Sequence, residues 1–169
     1  AVGGGIAGLE DAEGRLEELE RKRSAAAEAA VNAARVLSEG RQAAARELAE
    51  SITRELADLG MGEARVEVEV ARQEPRSGDL AFEGARVSPH GLDRVELLVA
   101  PHRGDPPKPL RRIASGGELS RALLAIKRVL AARGPRVLHV FDEVDTGVGG
   151  GVAESIGRKL LEVSRTSQV

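Results

Sequence analysis

The sequence predicts an α/β fold, a mixed sheet with flanking helices, with a long helix running ahead of it. Three observations predict this. From Ile6 to about Leu59 the chain is rich in Ala, Glu, Arg and Leu and has no proline, the composition of continuous helix. From Val66 onward, short runs of alternating apolar and charged residues lie between Gly and Pro turn signals and read as strands. Between Ile113 and Gly150 a glycine turn opens an amphipathic helix, and a short apolar run then ends abruptly in acidic residues.

Taken in order, residues 1–5 (AVGGG) read as a flexible start. Ile6, Leu9, Leu16 and Leu19 suggest a short heptad seam, and Ala25–Ala34 is mostly alanine, strong as helix but weak as a coiled-coil seam. A clear stripe begins at Leu48 and continues through Ile52, Leu56 and Leu59. Gly14 and Gly40 are candidate breaks, each costing roughly 1 kcal/mol against alanine. Unbroken, the helix is about 80 Å long, more than a globular helix needs. Residues 1–45 are therefore expected to be a flexible start and part of a coiled-coil arm, and residues 46–169 a compact lobe. A two-helix hairpin packed on the lobe is the alternative.

Gly60 and Gly62 stop the helix. Val66, Val68 and Val70 predict a strand with one buried face, and Val95 to Val99 a second; Gly78-Asp79 and Pro89-His90-Gly91 mark turns. Pro101 to Pro109 contains four prolines and is expected to be loop. Leu119, Leu123, Ile126 and Leu130 predict the buried face of the helix after Ser115. Arg136 to Phe141, after Gly134-Pro135, reads as a buried parallel strand, with His139 as a hydrogen-bonded core histidine within it. Val152, Ile156, Leu160 and Val163 predict a last amphipathic helix. His90 and His102 fall in loops, and the three histidines have no metal-ligand spacing.

Composition narrows the class. The 169 residues include no cysteine, which argues against a disulfide scaffold or a thiolate metal site. No apolar run approaches the ~18–20 residues that span a bilayer, and no secretory signal is visible, so a cytoplasmic compartment is expected. Two phenylalanines are the only aromatics, so the core must be aliphatic and no set of base-stacking platforms exists. Residues 1–100 carry 13 basic and 20 acidic groups, and residues 101–169 carry 12 and 7. That surplus favours an anionic ligand near the second half but is too small to claim a DNA-binding face. With Ala1 at its start and the strand-like Thr166-Ser167-Gln168-Val169 at its end, the chain reads as a piece of a larger protein.

The chemistry concentrates between Ser115 and Asp145. Ser115 and Glu118 have the S-x-x-E spacing of a capping box. Gly116 and Gly117 leave backbone N–H groups uncovered at a helix N-terminus, where an anion such as a terminal phosphate is favoured. Asp142 and Glu143 stand at the C-terminal end of the apolar run, where open α/β sheets bind ligands. Asp142 is placed to hold Mg²⁺, and Glu143 to orient or deprotonate a water. The helix runs roughly 20 Å away and a six-residue strand returns roughly as far, so both ends can share one edge. Arg103, Lys108, Arg111 and Arg112 precede the turn and either contact phosphates or form a solvated loop.

These motifs resemble the C-terminal part of an ABC-type ATPase head: a signature at Ser115–Glu118, a Walker B segment at Val137–Glu143 and a D-loop around Asp145. Transporter subunits usually end the signature in Gln and follow the Walker B Glu with Pro, and SMC proteins usually follow the D-loop Asp with Ala. IASGGELSR together with FDEVDTGVGG resembles instead the RecN family of bacterial DNA-repair proteins, over about residues 86–169. The resemblance implies the C-terminal lobe of an ABC-type head with part of a coiled-coil arm, and an ATPase with ATP and Mg²⁺ as its ligands. It implies that Asp142 holds the metal and Glu143 is the catalytic base. It further implies that Ser115, Gly116, Gly117 and Glu118 meet the nucleotide of a second head and that Asp145 spans the interface of the homodimer. The chain lacks the G-x-x-x-x-G-K-[ST] phosphate cradle, so a partner lobe carrying Walker A is implied and this piece alone is expected to be inactive. DNA, in double-strand-break repair at the nucleoid, is the implied partner, and no membrane. A transporter nucleotide-binding subunit, and an SMC-like DNA tether with incidental ATPase activity, are the rival readings. Where RecN relatives often carry Arg, this chain has Gly151.

Overall fold

The computed structural model describes residues 3–131 and 137–169, with the side chains of the first helix described from residue 12. Gly134, Pro135 and Arg136, and the side chains of Ile6 and Leu9, lie outside the described residues. The elements are a helix α1 (Gly3–Asp58), strands β1 (Arg65–Arg72), β2 (Ala81–Phe82), β3 (Ala85–Arg86), β4 (Asp93–Ala100) and β5 (Lys108–Pro109), a 3₁₀ turn (Leu110–Arg112), and helices α2 (Gly116–Leu130) and α3 (Gly151–Ser164). The architecture is the mixed helix-and-sheet fold the sequence predicts.

α1 is one helix of 56 residues, about 84 Å long at 1.5 Å per residue. It starts at Gly3, so Gly3–Gly5 are helical rather than a flexible start, and it passes unbroken through Gly14 and Gly40. Leu16 and Leu19 of the expected seam are 59% and 65% exposed. Its C-terminus is a Schellman motif: Met61 N–H bonds Leu56 O and Gly60 N–H bonds Ala57 O, with Gly60 at φ +77°. Only glycine fits there, because a Cβ would also stand 3.0 Å from Val152 Cγ1.

The chain forms two compact units, one of Ala1–Arg41 with Ala71–Arg94, the other of Gln42–Val70 with Val95–Val169. Residues 71–94 thus group with the early part of α1. In this first unit Ala34 packs with Ala85 and Leu92, with Phe82 and Val87 beside them. Ser38 Oγ donates to the buried Asp93 Oδ1 at 3.0 Å, and Arg41 Nη1 donates to His90 O at 2.9 Å. The small side chains at 34 and 38 are what let the 81–93 segment come close. β2 and β3 form an antiparallel hairpin across Glu83-Gly84, both with positive φ, the backbone of a two-residue type I′ turn.

One sheet has the order β1-β4-β5, and β4 and β5 are antiparallel with Leu98 opposite Pro109. β5 corrects the expectation of uninterrupted loop up to Pro109. It is a two-residue last strand, the place in a sheet where proline is tolerated. In β1, Val66 is buried and Val68 and Val70 are half-buried between exposed charges, as the alternation predicts.

The core of the second unit is aliphatic. Ile52 and Leu56 from the end of α1, and Leu59 just past it, meet Val66, Val99, Leu124, Ile126, Ile156 and Val163. On α3 the predicted face is the buried one: Ile156 and Val163 are buried, with Val152 and Leu160 packed against the core. On α2 it is not. Leu123 and Leu130 are exposed, and the inward face is carried by Arg121, Ala122, Leu124, Ala125 and Ile126. The expected stripe and the observed one differ by about one residue around the helix, which periodicity alone cannot resolve when leucines stand on both sides.

The largest correction concerns residues 137–141. They form no strand; Leu138 makes an isolated parallel bridge to Gln168, and Val140 is 84% exposed. A parallel strand needs ladder partners and covering helices, and among the described residues Gln168 alone pairs with this run. His139 is accordingly half-buried rather than core: its backbone N–H bonds Gln168 O at 2.8 Å, and its ring lies 6.1 Å from that of Phe141.

A charged network braces the second unit. Lys159, 6% exposed, places Nζ 2.6 Å from Glu55 Oε2 and 2.9 Å from Asp58 Oδ2. Arg128 Nε donates to Glu162 Oε2 at 2.7 Å. Burial pulls the Lys159 pKa down, but hydrogen bonds and charge from Glu55 and Asp58 outweigh it and hold it above the ordinary 10.5. A raised folded value means that the contribution is fully present below pH 10.5 and is lost as pH rises through the higher folded value. Lys159→Met is expected to lower unfolding free energy by about 2–3 kcal/mol, less than a fully buried pair because Asp58 is exposed. Urea unfolding at pH 7 measures this, and the difference from wild type should shrink in strongly alkaline buffer.

Candidate functional site

Ser115 caps α2. It has extended backbone (φ −91°, ψ 125°), and its Oγ accepts from Glu118 N–H at 3.4 Å. That is half of the predicted capping box. The Glu118 carboxylate turns instead towards His102, with Oε1 3.6 Å from Nε2. Gly116 and Gly117 are the first two residues of α2.

Asp142, Glu143 and Asp145 lie in the irregular segment before α3, and all three are exposed. Glu143 has φ +55°, a left-handed backbone that a non-glycine residue holds only when its surroundings impose it. A tight turn follows: Thr146 N–H bonds Glu143 O at 3.1 Å, and Val148 N–H bonds Asp145 O at 3.3 Å.

The two segments meet. A Cβ on Gly116 would collide with Glu143 Oε2. A Cβ on Gly117 would stand 3.2 Å from Glu143 O, 3.3 Å from Thr146 O and 3.2 Å from Arg121 Nη1. The glycines are therefore needed for close approach, not for an unusual φ. Arg121, 8% exposed, clasps the contact by donating from Nη1 to Thr146 O at 3.0 Å. Nothing local in the sequence marks this arginine, since on a helical wheel it reads as one more charge on α2. Of the predicted residues, Ser115, Gly116, Gly117, Glu143 and the Asp145-Thr146 turn are brought together. Asp142 is adjacent in sequence, and Glu118 lies towards His102.

Around this contact the surface is mixed. Arg103, Lys108 and Arg112 are exposed, while Arg111 Nη1 donates to Glu96 Oε1 at 2.8 Å. Among the described residues no group of three or more His, Cys, Asp or Glu is arranged to hold a metal by itself. No described helix is long and apolar enough to cross a membrane. Gly151 opens α3 behind Gly150, with no side-chain cap.

No family model matches the chain. Curated relatives do. It is 44% identical over 137 residues to the DNA repair protein RecN of Streptomyces coelicolor, covering 80% of this chain and 24% of that protein. It is 42% identical over 170 residues to the DNA repair protein RecN of Mycobacterium leprae, covering 95% of this chain and 28% of that protein. Among solved structures, a crystal structure of the SmcHead bound to the C-winged helix domain of ScpA aligns with TM-score 0.41 and 19% identity, over 73% of this chain and 33% of that one. That likeness is too slight to carry weight. The chain thus spans roughly a quarter of the length of the relatives it matches. At this identity over most of its length, the chain belongs to the RecN family, as the C-terminal part of a RecN protein.

Proposed function

We propose that this chain is the signature-bearing part of an ATP-binding and ATP-hydrolysing head acting in DNA double-strand-break repair. The observation that carries the reading is the meeting of the Ser115–Gly117 helix tip with the Glu143–Thr146 turn in a RecN-family chain. Its relatives carry the name DNA repair protein RecN. The helix tip offers N–H groups and a positive dipole end to a terminal phosphate. Glu143, exposed beside it, is the group that orients and deprotonates the attacking water, and Asp145 reaches across to a second head. Mg²⁺ takes one or two carboxylates together with phosphate and water oxygens. The exposed Asp142 carboxylate fits such a shared site. Bound there, the ion would neutralise phosphate charge.

Two surfaces support the proposed protein partners. Leu123, Leu130, Leu138 and Val140 expose apolar area on the second unit, which suits a covering lobe that brings the phosphate cradle. Leu16 and Leu19 expose apolar side chains on α1, which suits a partner helix in an arm. DNA and a cytoplasmic, nucleoid-associated setting complete the proposal.

The test is the ATPase rate of the full-length protein with and without linear DNA. Stimulation by DNA is expected. Turnover indifferent to DNA would favour a tethering role, and no turnover would overturn the ATPase reading.

A further inference from the structure

We infer that Arg121 is the positioning residue that ties the Ser115–Gly117 tip to the turn carrying Glu143 and Asp145, so that the two move as one. This rests on the proposed ATPase function and adds a residue to it. Arg121 is 8% exposed, a guanidinium taken almost wholly out of water. Its Nη1 donates to Thr146 O at 3.0 Å, while its Nε is buried with no hydrogen-bond partner among the described residues. A charge buried with a donor unmet is costly, and an apolar side chain would fill the same place without that cost. What an apolar side chain cannot do is hold the Thr146 carbonyl.

That carbonyl is well chosen. Thr146 follows Asp145, and its own N–H bonds Glu143 O at 3.1 Å. Two hydrogen bonds in series therefore run from the α2 helix, through Thr146, to the residue whose φ is +55°. The same Nη1 stands 3.2 Å from the position a Gly117 Cβ would take, so the guanidinium also lines the back of the helix tip. Glu118 and His102 line the cavity on which Arg121 opens, together with Glu63 and the Gly60–Gly62 corner. Among the described residues neither carboxylate takes the Nε hydrogen, and the Nη1 bond to Thr146 O orients the side chain. Arg121 touches no reacting atom in this arrangement; it acts through the backbone that aims Glu143.

The experiment uses the full-length protein carrying Arg121→Met, Arg121→Gln and Arg121→Lys, with thermal unfolding to select the folded variants. Met and Gln are expected to lower kcat by roughly 10- to 100-fold, the cost of misplacing a catalytic group by about an ångström, with KM and the Kd of a fluorescent ATP analogue nearly unchanged. Lysine can still donate once to Thr146 O and should recover most of the loss. A folded Arg121→Met with wild-type kcat overturns the inference, as does equal loss in Lys and Met accompanied by lost ATP binding. Amide hydrogen exchange of residues 144–148 separates this from the ATPase reading. Faster exchange there in Arg121→Met is expected whether or not the protein turns over ATP, and unchanged exchange overturns the coupling.

Discussion

Glu143→Gln in the full-length protein is expected to bind ATP with undiminished affinity while turnover falls by on the order of 10²-fold or more. Glutamine keeps the size of the side chain and one acceptor oxygen, but it carries no charge and takes no proton. The left-handed backbone at residue 143 is held by the Thr146 N–H bond and by the packing against Gly116. Both survive the exchange, so the fold should not register it. Lost negative charge beside a phosphate removes repulsion, so two heads closed on ATP should persist longer. Steady-state ATPase assays, nucleotide titration and light scattering of the assembly together decide the matter. A variant that hydrolyses ATP at the wild-type rate removes Glu143 from the chemistry.

The second large effect separates two neighbouring glycines. At Gly117 an added methyl meets the carbonyl oxygens of Glu143 and Thr146 at 3.2 and 3.3 Å, backbone atoms pinned within a hydrogen-bonded turn. Gly117→Ala must therefore push the two segments apart, at about 1–3 kcal/mol in stability, the cost typical of overpacking. Turnover should fall roughly 10²-fold as the carboxylates leave their place. At Gly116 the obstacle is the end of the Glu143 side chain, which can swing into solvent. Gly116→Ala should cost less than about 0.5 kcal/mol, as surface substitutions do. It should still lower turnover, because Glu143 is displaced and the helix-tip N–H groups are screened. Chemical unfolding and ATPase rates measured on both variants check the contrast. Equal stability losses at the two positions would mean that the segments do not meet as described.

Features set by neighbours in the chain were legible beforehand. The Val66-Val68-Val70 alternation, the glycine stop at Gly60, the Ser115 cap and the α3 face follow from steric and hydrogen-bonding rules acting within a few residues. Features set by distant chain were not. The packing of Ala34 and Ser38 looks like idle alanine-rich helix until the 81–93 segment lies on it. Leu123 and Leu130 share a helical stripe with Ile126, yet Leu124 is buried in their place, and only the packed partners choose between them. The run from Val137 to Phe141 has a strand's composition, yet composition supplies no ladder partner, and among the described residues it finds a single bridge.

The candidate site divides the same way. Its residue types and family follow from the order of the motifs: a capped glycine turn, a helix, an apolar run and three acids within 31 residues from Ser115 to Asp145. Those identities are written in the chain and need no coordinates. That Gly116 and Gly117 are bare to admit Glu143 and the Thr146 turn, and that Arg121 clasps them, was decided by tertiary structure alone. The reason is range. Backbone preferences and capping act over three or four residues, whereas Arg121 and Thr146 are 25 apart and meet only when α2 packs against the turn.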